Sequence, residues 1–379
     1  MKPRMVGTLC SAGLAALLVG AVGAAPAAAT SGLHVVPSPG ITNSCLSGTA
    51  LITSTDMWAV GDTGTGTGCN PFQTVGGGSG PFQTLAEHFN GTSWSVVPTP
   101  ALNAALSGVA GAADNDVWAV GDQAQGSSFN TLIEHWDGTS WAVTPSPKLP
   151  QGSQLTGVTA PATNNAWAVG FAGGSANALV EHWDGTSWSI VSSPAFAGVS
   201  ISNGAISADS ATDVWAMGFL ANSPSSDENV SLHWNGTSWT PNLAAHLRSG
   251  GVVTVAALSP ADVWAVGTGP GVPTGGFSAH PTAVIEHWNG TAWSVVPSPN
   301  PNPQGNNGLV AVAAVSAGDV WAVGHQLLGP FTEHWNGKNW TIVTTPAGVS
   351  FFGGMTASSA GTVLAVGQGT NQSGIILSN

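Results

Sequence analysis

The chain has 379 residues, of which 42% are hydrophobic and only 6% charged, with 52 Gly, 25 Pro, 17 Trp and no Tyr. Long helices draw on Glu, Lys, Arg and Leu, so this composition excludes a helix bundle or coiled coil and points to an all-β fold. Five Lys and Arg stand against 18 Asp and Glu, a formal net charge of −13, which makes phosphate backbones poor partners and excludes nucleic acid as a ligand class.

At the N-terminus Lys2 and Arg4 precede an uncharged, Ala- and Leu-rich stretch over residues 5–30 that ends Ala27-Ala28-Ala29. This pattern predicts a secretory signal peptide over residues 1–29, cleaved near Ala29, and hence a secreted, extracellular protein; a retained anchor is the alternative. Cys10 sits inside the apolar run and does not close it, so it is no lipidation site. Beyond residue 29 the cations are Lys148, Arg248 and Lys338, with no basic patch and no second apolar span, so no membrane association is expected beyond the leader. Cys45 and Cys69 are the cysteines left in an oxidising compartment and are expected to form a disulfide. Neither has a neighbouring ligand at metal spacing, so no metal is expected there.

Seven segments share one signature, Trp58-Ala59-Val60-Gly61 and its counterparts at Trp118, Trp167, Trp215, Trp264 and Trp321, with Leu364 leading a degenerate seventh. The steps are 60, 49, 48, 49, 57 and 43 residues, the period of a propeller or an array. Six copies are followed by a second signature, of which Glu134-His135-Trp136-Asp137-Gly138-Thr139-Ser140-Trp141 is one. From its His to its last Trp the distance is six residues in every copy, and the central Asn-Gly or Asp-Gly tolerates positive φ, so a tight hairpin is predicted. Upstream, Leu106-Ser107-Gly108-Val109-Ala110 reaches Asp116-Val117-Trp118 through a short turn, which makes a second hairpin. Each unit therefore reads as four strands A to D: Trp-Ala-Val-Gly on B, Glu-His-Trp on C and Ser-Trp-x-Val-Val on D. Four antiparallel strands make one propeller blade.

The two ends of the chain predict how the sheet edges are removed. The last unit stops at Gly374-Ile375-Ile376-Leu377-Ser378-Asn379, a strand C without a D, while Leu33-His34-Val35-Val36-Pro37-Ser38-Pro39 repeats the strand D pattern of Trp293-Ser294-Val295-Val296-Pro297-Ser298-Pro299. Leu33 precedes Trp58 by 25 residues, within the 24 to 28 that separate each strand D from the next strand B. A seven-bladed β-propeller is predicted over residues 30–379, a single domain whose last blade is closed by residues 33–39 pairing with 374–379.

These repeats resemble secreted β-propellers of the broad kelch, galactose-oxidase central domain and Asp-box type, over nearly the whole chain after residue 29. The hairpin from His135 to Trp141 is similar to the Asp-box turn without its leading Ser-x-Asp, and strand B ends in one Gly where kelch repeats carry two. Enzymes on such scaffolds fail here on residue inventory. The Asp-box sialidases need an arginine cluster and a tyrosine nucleophile, and galactose oxidase needs tyrosine copper ligands; this chain has no Tyr. No phosphate-binding Gly-rich loop with Lys, Gly-x-Ser-x-Gly elbow or Cys-x-x-Cys pair occurs.

The repeated Glu-His-Trp residues lie around a ring and do not converge, and strand alternation sends adjacent Glu and His to opposite faces, so they read as packing between blades. Asn90, Asn235 and Asn289 open Asn-Gly-Thr sequons that the turn itself explains. Variation concentrates between the strand B Gly and the strand C His, where the spacing runs from 10 to 27 residues. The B–C and D–A connections leave the disc on the same face, which is the expected binding face. The residues after each strand B Gly are Asp62, Asp122, Phe171, Phe219, Thr268, His325 and Gln368. His325, Gln368, Asp62 and Asp122 would form a polar arc opposite Phe171 and Phe219 over the central opening, with the loop from Thr63 to Thr84 as a lid tied by Cys69. The function expected is a monomeric, noncatalytic binding module for a cell-surface glycan or protein, without a cofactor. The alternative is a propeller lyase with His325 as general base beside a carboxylate-bound divalent metal.

Overall fold

The Trp-Ala-Val-Gly run alternates toward two neighbours, so each such strand is buried on both faces and must lie between two sheets. A computed structural model describes residues 32–64, 82–126, 128–173, 177–201, 204–220, 229–243, 251–269, 281–302, 306–326 and 329–379, and the statements below concern these. The leader, Cys69 and most of the loop from Thr63 to Thr84 lie outside them. In blade 1, strand A is Ser44–Thr53, B is Asp56–Thr63, C is Gln83–Phe89 and D is Trp94–Val97, hydrogen-bonded in that order and all antiparallel. Blades 2, 3, 5 and 6 repeat this order over residues 104–143, 153–190, 252–296 and 308–343. In blade 4 strand A is split into Val199–Ser200 and Ile206–Ser210, both paired with strand B at Asp213–Leu220.

Blade 7 is built from Val349–Ala357, Val363–Gly369 and Gly374–Ser378, and its strand D is His34–Val36. The register is His34 with Ser378, Val35 with Leu377 and Val36 with Ile376, a shorter ladder than the predicted 33–39 with 374–379. Ser44 reinforces the closure, since its Oγ accepts the Gly374 N–H at 2.8 Å. Strand A of each blade packs on strand A of the next, from blade 1 through blade 7 and back to blade 1, which makes the architecture a closed ring.

The ring has seven small cores, one at each junction, in place of a single central one. The strand B Trp supplies the centre of most. Trp58 of blade 1 sits 5.0 Å from Trp136 and 5.1 Å from Trp141, the strand C and strand D indoles of blade 2. Trp118, Trp167, Trp215 and Trp264 take the same position against Trp183 and Trp188, Trp234 and Trp239, Trp288 and Trp293, and Trp335 and Trp340. Edge-to-face indoles at this separation add about 0.5–1.5 kcal/mol per pair to the area they bury. Blade 7 has no Trp, and its two junctions use aliphatics: Leu33, Val363 and Leu377 pack with Trp321, and Leu364, Val366 and Ile376 with Leu46, Met57 and Leu85.

Strand A carries a bulge in six blades, at the step from Leu46 to Gly48 in blade 1, from Leu106 to Gly108 in blade 2 and at the equivalent steps of blades 3, 5, 6 and 7. The bulge leans a strand A carbonyl onto strand B, and this explains the Gly that ends the strand B signature. A Cβ on Gly61 would collide with the carbonyl oxygen of Cys45, and one on Gly121 with that of Ala105. Just past the bulge, neighbouring A strands touch backbone to backbone. A Cβ on Gly48 would stand 2.9 Å from Gly108 Cα, and one on Gly108 3.1 Å from Gly157 Cα. The A strands enclose a central cavity of about 400 Å³ lined by Gly, Ala, Ser, Thr and small aliphatics, with no charged side chain.

Gly121→Ala should therefore lower the unfolding free energy by about 3 kcal/mol in urea titrations, since the clash is with backbone that cannot turn away. Gly251→Ala, where a Cβ meets nothing within 4 Å, should be near neutral.

Candidate functional site

The repeated polar residues do not gather at one point. The strand C His stacks on the strand B Trp of its own blade, Trp58 on His88 at 4.3 Å and Trp215 on His233 at 4.1 Å. Its Nε2 meets a carboxylate two residues before that Trp: His88 with Asp56, His287 with Asp262 and His334 with Asp319 at 2.8 Å, and His135 with Asp116 at 2.7 Å. His233 pairs in the same way with Asp213, and in blade 3 Asn165 replaces the carboxylate, 3.3 Å from His182. This partner is not among the residues expected from the repeat. Its signal was there, since an Asp or Asn stands two residues before every strand B Trp. Trp, His and Asp thus form one structural cluster in each of five blades, and Trp, His and Asn form it in blade 3.

The strand C Glu points the other way, toward the preceding blade. Ser146 of blade 2 places its hydroxyl 3.1 and 2.9 Å from the two carboxyl oxygens of Glu181, and Ser298 of blade 5 lies 3.0 and 2.9 Å from those of Glu333. Glu87, Glu134, Glu181, Glu286 and Glu333 are all buried, and burial pushes each carboxyl up to about 7. Thr84 beside Glu134 and the two serines oppose that rise in part.

The seven positions after the strand B Gly are held at one end of the ring, where strand B finishes opposite the start of strand A. Cys45 pairs with Asp62, Ala105 with Asp122, Gln154 with Phe171, Ser200 with Phe219, Gly308 with His325 and Phe351 with Gln368; Thr268 donates its N–H to the Gly251 carbonyl. A mouth of alternating strand A and strand B residues results. Several of its side chains reach sideways to the next blade. His325 accepts the Phe352 N–H at Nε2, 3.2 Å away, and stacks on Phe351 at 4.0 Å. Gln368 Nε2 donates to the Ser44 carbonyl at 3.2 Å, and Gln154 Nε2 donates to Asp122 Oδ2 at 3.4 Å. Phe171 and Phe219 are half-buried on the far side of the mouth.

Two carboxyl groups, Asp62 and Asp122, stand at the mouth. Burial raises the Asp62 carboxyl to about 6. Burial also holds the His325 imidazole below its usual value, partly opposed by the Phe352 carbonyl 3.5 Å from its Nε2. Both the N–H and the carbonyl of Phe352 thus face His325 Nε2, which is engaged by main chain in either tautomer. Among the described residues no three His, Cys, Asp or Glu side chains gather as a metal would require. Cys45 stands at the mouth beside Asp62, and its expected partner Cys69 falls outside the described residues.

No protein-family profile matches the chain, and no curated protein matches it. Solved structures do. The chain is similar to YCF48 bound to D1 peptide, at 15% identity and a TM-score of 0.56, over 91% of this chain and 96% of that one. It is similar to YCF48 from Cyanidioschyzon merolae at 18% identity and a TM-score of 0.53, covering 91% and 98%. It is also similar to the WD40 β-propeller domain of Doa1, at 10% identity and a TM-score of 0.55, covering 92% and 97%. At these identities the likeness establishes the fold class: a seven-bladed β-propeller.

A carboxyl whose folded pKa is raised adds stability below its unfolded value and loses it as pH climbs through the folded one. For Asp62 that window runs from about 4 to about 6. Asp62→Asn should accordingly stabilise the protein by about 1–2 kcal/mol at pH 7.5 and by nothing at pH 4, read from chemical denaturation at the two pH values.

Proposed function

We propose that the chain is a secreted, noncatalytic binding module that takes a cell-surface protein or glycan on the face carrying the B–C and D–A connections, over the mouth formed by Asp62, Asp122, Phe171, Phe219, His325 and Gln368. The observation that carries this reading is the asymmetry of the mouth. The strand A and strand B ends that are equivalent in seven blades differ in chemistry there, with Asp62, Asp122 and Gln154 on one side and Phe171 and Phe219 on the next, while the opposite ends repeat one hairpin almost unchanged. A rigid ring with one diversified end is the usual arrangement of a binding scaffold. The fold likeness to YCF48, whose solved complex holds a D1 peptide, supports a protein or peptide ligand.

A lyase centred on His325 is less well supported, because its Nε2 is occupied by the Phe352 N–H. Export through cleavage near Ala29 and a Cys45–Cys69 disulfide belong to the same proposal, as does the finer kinship with kelch and Asp-box propellers. The net charge of −13 sets copies of the chain against one another and fits a monomer.

Binding should be read on glycan and peptide arrays with the purified mature chain, in the presence and absence of a chelator. The expected result is retention that survives chelation and weakens at least tenfold in Asp122→Ala and in Phe171→Ala, each loss being on the order of 1.4 kcal/mol or more. Retention that chelation abolishes, or that both substitutions leave unchanged, would rule the mouth out. Under denaturing, nonreducing conditions the mature protein should show no thiol that reacts with a maleimide, and one reactive thiol per Cys45 or Cys69 would overturn the disulfide.

A further inference from the structure

The five strand C glutamates lie outside the mouth, and the binding proposal makes no use of them. Each faces the preceding blade, and Glu87 and Glu286 have no hydrogen-bond partner on either carboxyl oxygen. The hydroxyls beside Glu181 and Glu333 are too few for an anion. Ser146 has one proton, yet both oxygens of Glu181 and the Thr131 hydroxyl, at 2.8 Å, lie within its reach; Ser298 likewise faces both oxygens of Glu333 alone. A carboxyl that keeps its own proton supplies the missing donor. No lysine or arginine lies on any strand of the ring. The titratable groups on the described strands packed against these carboxyls are the His–Asp pairs already described, Asp62, Asp122 and Asp209, a neighbouring strand C Glu, His325 on the strand paired with that of Glu333, and, against Glu87, the exposed His34. None is a fixed cation that could hold a glutamate ionised. The two other junctions are closed by apolar residues at the same position, Leu232 between blades 3 and 4 and Leu377 between blades 6 and 7.

We propose that the ring is a proton-dependent assembly in which Glu87, Glu134, Glu181, Glu286 and Glu333 are held as neutral acids between blades, so that their ionisation weakens five junctions and spares the two closed by leucine. The direction follows from linkage. A carboxyl that prefers its proton when buried stabilises the closed junction fully below its unfolded pKa of 4.5 and no longer does so once pH has passed about 7. That difference amounts to roughly a few hundredfold in the opening equilibrium of one junction.

Native-state hydrogen exchange of the intact chain from pH 5 to pH 8.5, corrected for intrinsic exchange rates, reads each junction separately. The expected outcome is a loss of protection in strand C of blades 1, 2, 3, 5 and 6 as pH rises, of up to a few hundredfold, with strand C of blades 4 and 7 unchanged. Glu286→Leu, which copies Leu232, should abolish the response in blade 5 and leave it in blades 1, 2, 3 and 6; Glu286→Gln gives the same readout if the leucine variant does not fold. Equal loss in all seven blades, constant protection up to pH 8.5, or an unchanged blade 5 response in the variant would each overturn the proposal.

Discussion

The ring depends on one contact made again at each junction: a side chain from strand B of one blade driven into the cleft between strands C and D of the next. In five junctions that side chain is an indole and the cleft is walled by two more. A blade of four short strands has two apolar faces and cannot bury either alone, so it is stable only between neighbours. The fixed six-residue interval from the strand C His to the strand D Trp follows from this, because any insertion would take one wall of the cleft away from the other. The His–Asp pair beneath the strand B indole, His–Asn in blade 3, is the polar counterpart. It satisfies the imidazole at the edge of a surface that is otherwise apolar.

Much of this was legible in the sequence, because a repeat displays its constraints several times over. The blade count follows from five Trp-Ala-Val-Gly runs and two variants of them, at Trp215 and Leu364, and the closure from a strand D pattern at Leu33 with no strand C before it. The opposite orientation of Glu and His follows from strand alternation alone and holds in the five blades that carry both. Other features were in the sequence without being readable. The Gly ending strand B looks like a turn residue, and its real cause is the bulge that leans the Cys45 or Ala105 carbonyl against it. The bulge itself is written as Leu-Ser-Gly or Leu-Thr-Gly at residues 46–48, 106–108 and 155–157, which is too common a tripeptide to signal anything until the partner strand is known.

At the mouth the sequence gives positions, while the side-chain directions depend on how neighbouring blades are staggered. His325 and Gln368 follow the strand B Gly as predicted, but the next blade stands close enough to take their hydrogen bonds. Gln154, on strand A, was not among the expected residues, although it reaches Asp122 across the junction between blades 2 and 3. No spacing rule could have found it, since the equivalent residues Cys45, Ala105 and Ser200 are small. What distinguishes the two ends of the ring is therefore freedom. The hairpin end is fixed by the clefts, and the mouth is the place where substitutions leave the junctions intact.

The shared last blade has a kinetic consequence. His34–Val36 can find its partner only after Gly374–Ser378 has been made, and the Ser44–Gly374 bond alone spans 330 residues. Loop closure over that length is slow and comes late, so during synthesis the chain exists as an arc with two open ends whose strands offer unused hydrogen bonds. Until residues 374–378 emerge those ends stay unpaired, and the three-residue ladder between His34–Val36 and strand C of blade 7 acts as the latch.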